Sequence, residues 1–195
     1  MAIRREIIII FVLLISIAVA VKLLEILSAN FGGTADASKF VLEDLHSKYP
    51  GADVAIMSIV PKTSAGGSHY VEVKTRVTQD ALTPCPKRSH IFYNYPVQNF
   101  VPQTPEIITN ACQVCTEAIC NIAFPEEAII ASHTLQGTDA VGSFISAYPD
   151  AYPTADEGAD SWLVKWDSPS AQYYYQVELH RNGTILNVKR MVKTS

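Results

Sequence analysis

Four cysteines carry most of the reactive chemistry available to this chain: Cys85 in Pro84-Cys85-Pro86, Cys112 and Cys115 in Cys112-Gln113-Val114-Cys115, and Cys120. Sulfurs at these spacings can serve three chemistries. The first is thiol redox through Cys112 and Cys115, whose C-x-x-C spacing works when the first thiol sits at a helix N-terminus and the helix dipole lowers its pKa. Thr104-Pro105-Glu106 reads as such a helix start, with an N-cap, a proline at the first helical position and an acid in the first turn. Cys112 then falls about two turns further on, where the dipole has faded. The second chemistry is a metal site built from the C-x-x-C pair, Cys120 and Cys85, helped by His90 or His133. Structural zinc usually draws on two compact pairs, and an iron–sulfur cluster needs four thiolates, so the spacing fits neither well. The third is two structural disulfides, each worth ~2–4 kcal/mol. Three pairings are open; one arrangement joins Cys85 to the Cys112/Cys115 pair and the remaining cysteine to Cys120.

Outside the cysteines the chemistry is sparse. His46, His69, His90, His133 and His180 are scattered, with no two at metal-ligand spacing. No G-x-S-x-G or other nucleophile setting occurs. Gly32-Gly33 and Gly66-Gly67 lack the context of a phosphate loop. Glu126-Glu127 after Pro125 read as first-turn acids of a short helix. No catalytic residue, metal or cofactor is therefore expected. Two surface features stand out. The segment His90–Pro105 gathers Phe92, Tyr93, Tyr95 and Phe100 with Pro96, Pro102 and Pro105 and little charge, a candidate recognition surface. Asn182-Gly183-Thr184 is a glycosylation sequon on a turn, with Asn182 as acceptor.

Which cysteine chemistry applies depends on the compartment, and the N-terminus speaks to that. Arg4 and Arg5 lead into an aliphatic run, Ile7–Leu27, which at ~1.5 Å per helical residue would reach roughly 31 Å, enough for a bilayer core. Lys22 and Glu25 lie three apart near its far end and can pair there. The arginines would stay cytoplasmic and the remainder would be exported. The expectation is an uncleaved single-pass anchor; the alternative is a secreted chain cleaved near Ala20, after Ala18-Val19-Ala20. Disulfides are the default for cysteines in an exported chain. The chain has 15 Lys+Arg against 19 Asp+Glu, a net charge of −4, which argues against a nucleic-acid partner.

The elements that would position these residues follow from periodicity. Ala29–Ala37 reads as a linker, with Thr34 or Asp36 capping a helix that carries Phe40, Val41, Leu42 and Leu45 inward and stops at Tyr49-Pro50-Gly51. Val54–Val60 reads as a strand, Pro61–Ser68 as a loop, and His69–Thr78 alternates strictly as a second strand. Near the C-terminus, Thr138 or Asp139 caps a helix with Val141, Phe144, Ile145 and Tyr148 at helical spacing. Strands are expected at Ser161–Asp167, Tyr173–His180 and Thr184–Val192, with Asn182-Gly183 forming a type I′ turn.

The C-terminal helix ending in Tyr-Pro, then Trp162-Leu163-Val164-Lys165-Trp166, Tyr173–His180 and Asn182-Gly183-Thr184-Ile185-Leu186, resembles the PepSY unit, a small extracytoplasmic α+β module grouped with cystatin-like folds. The resemblance covers about 55 residues, and about 40 more if Ala37–Thr78 is a second copy. It implies a non-enzymatic module that binds or inhibits proteins at the cell envelope. The expected fold class is thus α+β: an N-terminal transmembrane helix (residues 1–28), a linker (29–37), a first helix-plus-antiparallel-sheet unit (38–84), a cysteine-containing helical insert (85–135) and a second, PepSY-like unit (136–195). The expected function is a membrane-anchored, extracytoplasmic, non-catalytic module that binds or regulates an envelope protein or peptide. The alternatives are a thiol-redox protein using Cys112 and Cys115, or a structural metal-binding module.

Overall fold

A computed structural model of the chain describes residue 13 and residues 15–22, 33–96, 103–116 and 119–194. Two antiparallel four-stranded sheets carry the fold, each in simple sequential order. Helix α1 (Thr34–Lys48) precedes β1 (Asp53–Thr63), β2 (His69–Gln79), β3 (Lys87–Tyr95) and β4 (Glu106–Thr109). Helices α2 (Pro125–Thr134) and α3 (Asp139–Ala147) precede β5 (Tyr152–Glu157), β6 (Ser161–Asp167), β7 (Tyr173–His180) and β8 (Ile185–Val192).

The α+β class and the paired helix-and-sheet plan agree with expectation; two parts of the expected fold do not. Among the described residues no helix is long and apolar enough to cross a membrane. Helical residues 15–22 rise only about 12 Å, short of a hydrocarbon core, and most of the remaining expected span lies outside the described residues. The transmembrane helix therefore leaves the fold class. The helical insert is also replaced. Residues that read as a capped helix from Thr104 instead form β4, whose Ile107 pairs with Ser89 and Glu106 with His90. The first sheet is thereby completed by β3 and β4, from within the stretch expected as an insert.

In the first unit, Ala37, Val41 and Leu45 recur every fourth residue and are fully buried, so one stripe of α1 covers one face of the sheet. That face carries Val71, Val73, Thr75 and Val77 of β2 with Ile91 and Tyr93 of β3. The N-cap is Gly33, whose carbonyl accepts from Asp36 and Ala37; Thr34 and Asp36 lie inside the helix, and Asp36 faces the positive dipole end. In the second unit, Trp162, Val164, Trp166, Val177 and Leu179 pack under Val141 and Phe144 of α3 and Ala128, Ile129 and Ala131 of α2. Trp162 Nε1 donates to the Ile122 carbonyl (3.0 Å) and Trp166 Nε1 to Ser132 Oγ (2.8 Å), so neither indole is buried without an acceptor.

The β7–β8 turn departs from type I′. Of its residues only Gly183 has positive φ (84°), and the chain closes through Gly183 N to His180 O and His180 N to Thr184 O. That is a three-residue loop with glycine at the left-handed position. Asn182 Oδ1 accepts from Thr184 N (3.0 Å), which explains asparagine here by turn chemistry.

Candidate functional site

The chemistry gathers where the two units meet, and strand alternation explains how. β3 turns Ile91 and Tyr93 toward α1, so Arg88, His90 and Phe92 occupy the opposite face of the sheet, beside Thr78, Arg76 and Lys74 of β2. Onto this second face comes the N-terminus of α2. Arg88 Nη1 donates to Glu126 Oε2 (2.8 Å), and Thr78 Oγ1 donates to Glu126 Oε1 (2.7 Å). The Arg88 guanidinium lies 3.9 Å from the Phe124 ring centroid, and His90 meets the same ring edge-on. Burial alone would push the Glu126 carboxyl up. The hydrogen bonds from Thr78 and Arg88, with the Arg88 charge, outweigh burial and hold its pKa below the ordinary value.

His90 extends the network. Arg88 Nε can only donate, so the His90 Nε2 that it meets at 3.1 Å accepts, and the ring proton sits on Nδ1, which donates to Glu106 Oε2 at 3.0 Å. Burial lowers the His90 pKa; the Glu106 contact opposes this, and the Arg88 and Lys74 charges reinforce it. Glu106 is held below the ordinary carboxyl range by the His90 bond, against a smaller desolvation effect, and Lys74 adds to the lowering.

All four cysteines are disulfide-bonded: Cys85 with Cys112 (Cα–Cα 5.0 Å) and Cys115 with Cys120 (Cα–Cα 4.6 Å). The C-x-x-C residues thus belong to different bridges, on a bent segment with no helix beneath them. Cys85–Cys112 ties the approach to β3 to the end of β4. Beside it stands His133, in the last turn of α2, with Nε2 3.9 Å from Cys112 Sγ and 2.8 Å from the Pro84 carbonyl oxygen. Ligand atoms of Cys85, Cys112 and His133 all lie within 4.8 Å of one another. While the two sulfurs are bonded to each other, they have no thiolate to offer a metal. Burial holds His133 below the ordinary histidine pKa, against the opposing Pro84 contact.

Cys115–Cys120 lies against the β7–β8 turn. A Cβ on Gly183 would come within 2.8 Å of Cys120 Sγ and 3.1 Å of Cys115 Sγ, and Ile122 N donates to Arg181 O (2.7 Å). The same bridge walls a cleft of about 290 Å³ whose other sides are Ile108 of β4, Val114, Ile119, Ile122, Asn121 and Glu127. Ile119 is 87% exposed at its rim. Glu127, at the third position of α2, accepts from the backbone N–H groups of Ala123 and Phe124 at 2.8 and 2.9 Å, satisfying donors just before the helix start. Burial raises its pKa, against those two bonds.

Of the aromatic residues singled out in sequence, Tyr93 and Tyr95 go to the core under α1 and Phe92 goes to the opposite face of the sheet. Tyr93 is buried under α1 and donates to Asp44 Oδ2 (2.7 Å). Tyr95 packs beside Phe40 in the same core. Phe92 occupies the other face beneath the Lys74 ammonium, and Phe100 lies outside the described residues. Asn182 is exposed on its turn. Sequence reasoning missed the cluster of Arg88, Glu126, Thr78 and Glu106. The available signal was Arg88 and His90 at alternate positions, on the strand face opposite Ile91 and Tyr93.

Comparison of the chain with family models, with curated proteins and with solved structures finds no match among them.

Proposed function

We propose that this chain is a non-catalytic binding module of an oxidising, extracytoplasmic compartment, and that it holds an extended segment of a partner protein in the cleft between β4 and the Cys115–Cys120 loop. One observation carries the reading: the cleft adjoins a sheet edge. β4 ends the order β1-β2-β3-β4, so among the described residues its outer edge has no strand partner. An extended segment can add to such an edge through main-chain hydrogen bonds and place alternate side chains in an adjoining pocket. The cleft supplies that pocket, with apolar Ile108, Val114, Ile119 and Ile122 set among polar Asn121 and Glu127. The exposed Ile119 and the 56%-exposed Ile107 flank the edge. Engagement of every cysteine in a disulfide supports the compartment, and the PepSY resemblance of the second unit supports a non-enzymatic role.

Site-specific photocrosslinking tests this. Benzoylphenylalanine at position 119 is expected to capture a defined partner in cells, whereas the same probe at Met57 on β1 captures none. Ile108→Asp is expected to abolish capture from position 119. Equal capture from both positions, or none from 119, removes the cleft as the binding site. Alkylation of intact cells checks the compartment: free thiols at Cys115 and Cys120 on the native chain would contradict it.

A further inference from the structure

The two disulfides sit in different chemical surroundings. Cys115–Cys120 packs its sulfurs on Gly183 of the β7–β8 turn. Cys85–Cys112 is half-buried and has an imidazole beside one of its two sulfurs, with His133 Nε2 3.9 Å from Cys112 Sγ. The Pro84 carbonyl oxygen, 2.8 Å from that same nitrogen, can only accept, so Nε2 carries a hydrogen. The ring is fixed by Trp166, which it meets edge-on at 5.4 Å, and by its place on α2. This N–H is donated to the Pro84 carbonyl in the resting state and stands 3.9 Å from Cys112 Sγ, close enough to be shared with it. When a disulfide is cleaved by a thiolate, the better-stabilised sulfur leaves faster.

We propose that Cys85–Cys112 is a thiol-exchange site whose substrate is a dithiol, with Cys112 as the leaving thiolate and His133 as the donor that receives it. A thiolate of the dithiol attacks Cys85 Sγ. The electron pair of the S–S bond passes to Cys112 Sγ, which turns to accept the His133 Nε2–H, and a mixed disulfide joins Cys85 to the incoming sulfur. The second thiolate of the dithiol attacks that incoming sulfur and expels Cys85 as a thiolate. The dithiol departs as a disulfide, two electrons have passed to the chain, and the dithiol's two protons end on Cys85 and Cys112. Among the described residues no such imidazole stands beside Cys115–Cys120, which serves as an internal reference. The site goes beyond the cleft reading and operates whether or not the cleft holds a partner.

The test is timed reduction of the oxidised full-length chain by dithiothreitol, quenched by alkylation and read by mass mapping. Cys85 and Cys112 are expected to become alkylated about tenfold faster than Cys115 and Cys120. His133→Phe is expected to slow the first pair about tenfold and leave the second unchanged, while His133→Gln, which keeps an N–H donor, retains most of the rate. Should His133→Phe fail to fold, His133→Leu, which relieves crowding against Trp166, takes its place in the comparison. Opening of Cys115–Cys120 first, or rates unaffected by loss of the His133 donor, overturns the assignment. So does His133-dependent uptake of one zinc by the reduced chain, which would make the trio a metal site instead.

Discussion

Arg88 and Glu126, 38 residues apart in the chain, meet at 2.8 Å with side chains only 5% and 7% exposed. One belongs to the first sheet and the other to the first turn of α2, so the contact joins the two units through a desolvated ion pair. Thr78, His90 and Phe124 complete its surroundings. A buried pair of this kind is weak evidence for net stability, because desolvation offsets much of the attraction. Its effect is on alignment: α2 docks on the second face of the first sheet at one place and in one orientation.

Removing one partner leaves the other charge buried and unpaired. Arg88→Met or Glu126→Leu alone is expected to destabilise the fold by about 3–5 kcal/mol, whereas the double variant costs much less than the sum. Urea denaturation of the two single variants and the double variant checks this. Strictly additive losses would show that the two side chains act independently.

Acid should weaken the fold through His90 and His133. His90 and His133 are both held neutral, with folded pKa values below the ordinary histidine value of about 6.5. Between that value and the depressed folded values the unfolded chain binds more protons than the native chain, so stability falls as pH falls through this window. For His90 the loss is specific: a proton on Nε2 abolishes its acceptance from Arg88 Nε. Glu126 behaves in the other sense. Its folded pKa is depressed, so its contribution is present above the ordinary carboxyl range and is lost only as pH falls through the lower folded value. The urea midpoint is expected to drop from pH 7.5 to 5.5 and to flatten in a His90→Asn/His133→Gln double variant. A midpoint that rises over that range contradicts the neutral assignments.

Ser132 gives a smaller, sharper case. Its hydroxyl accepts from Trp166 Nε1 at 2.8 Å and donates to the Ile129 carbonyl, with both side chains fully buried. Ser132→Ala removes few contacts but orphans the indole N–H, at a cost of about 1–3 kcal/mol. Pairing it with Trp166→Phe, which deletes the donor, should yield less than the summed loss by thermal or urea denaturation.

What was legible in the sequence was whatever local pattern decides. His69–Thr78 alternates so strictly that β2 follows to within a residue, and Ser161–Asp167 and Tyr173–His180 are strands at the expected bounds. Where pairing competes with local signals, pairing wins. Thr104-Pro105-Glu106 has every mark of a helix start, yet Ile107 finds Ser89 and the segment becomes β4. Pro153 would be out of place in a central strand, but proline is tolerated in an edge strand, and β5 is one. Local pattern places Arg88 on a strand face and Glu126 in a helix's first turn but does not pair them. Their contact depends on which face of β3 is left over once Ile91 and Tyr93 have gone to α1, and that is a property of the assembled sheet.

Gly183 joins two independent constraints, and they can be separated. Its φ of 84° disfavours any side chain, at about 1–2 kcal/mol for an L-residue. A methyl there would also come within 2.8 Å of Cys120 Sγ and 3.1 Å of Cys115 Sγ. Those sulfurs are bonded to each other and cannot swing away as a free side chain would, so the bridge or the turn must move. Gly183→Ala is therefore expected to cost more than the backbone term alone. In a Cys115→Ser/Cys120→Ser background, whose hydroxyls are smaller and free to rotate, the same substitution should cost only about 1–2 kcal/mol. Urea denaturation of the four chains in this cycle measures the difference. An identical cost in both backgrounds would mean that the disulfide does not rest on the turn, and the packing described for the Cys115–Cys120 loop would be wrong.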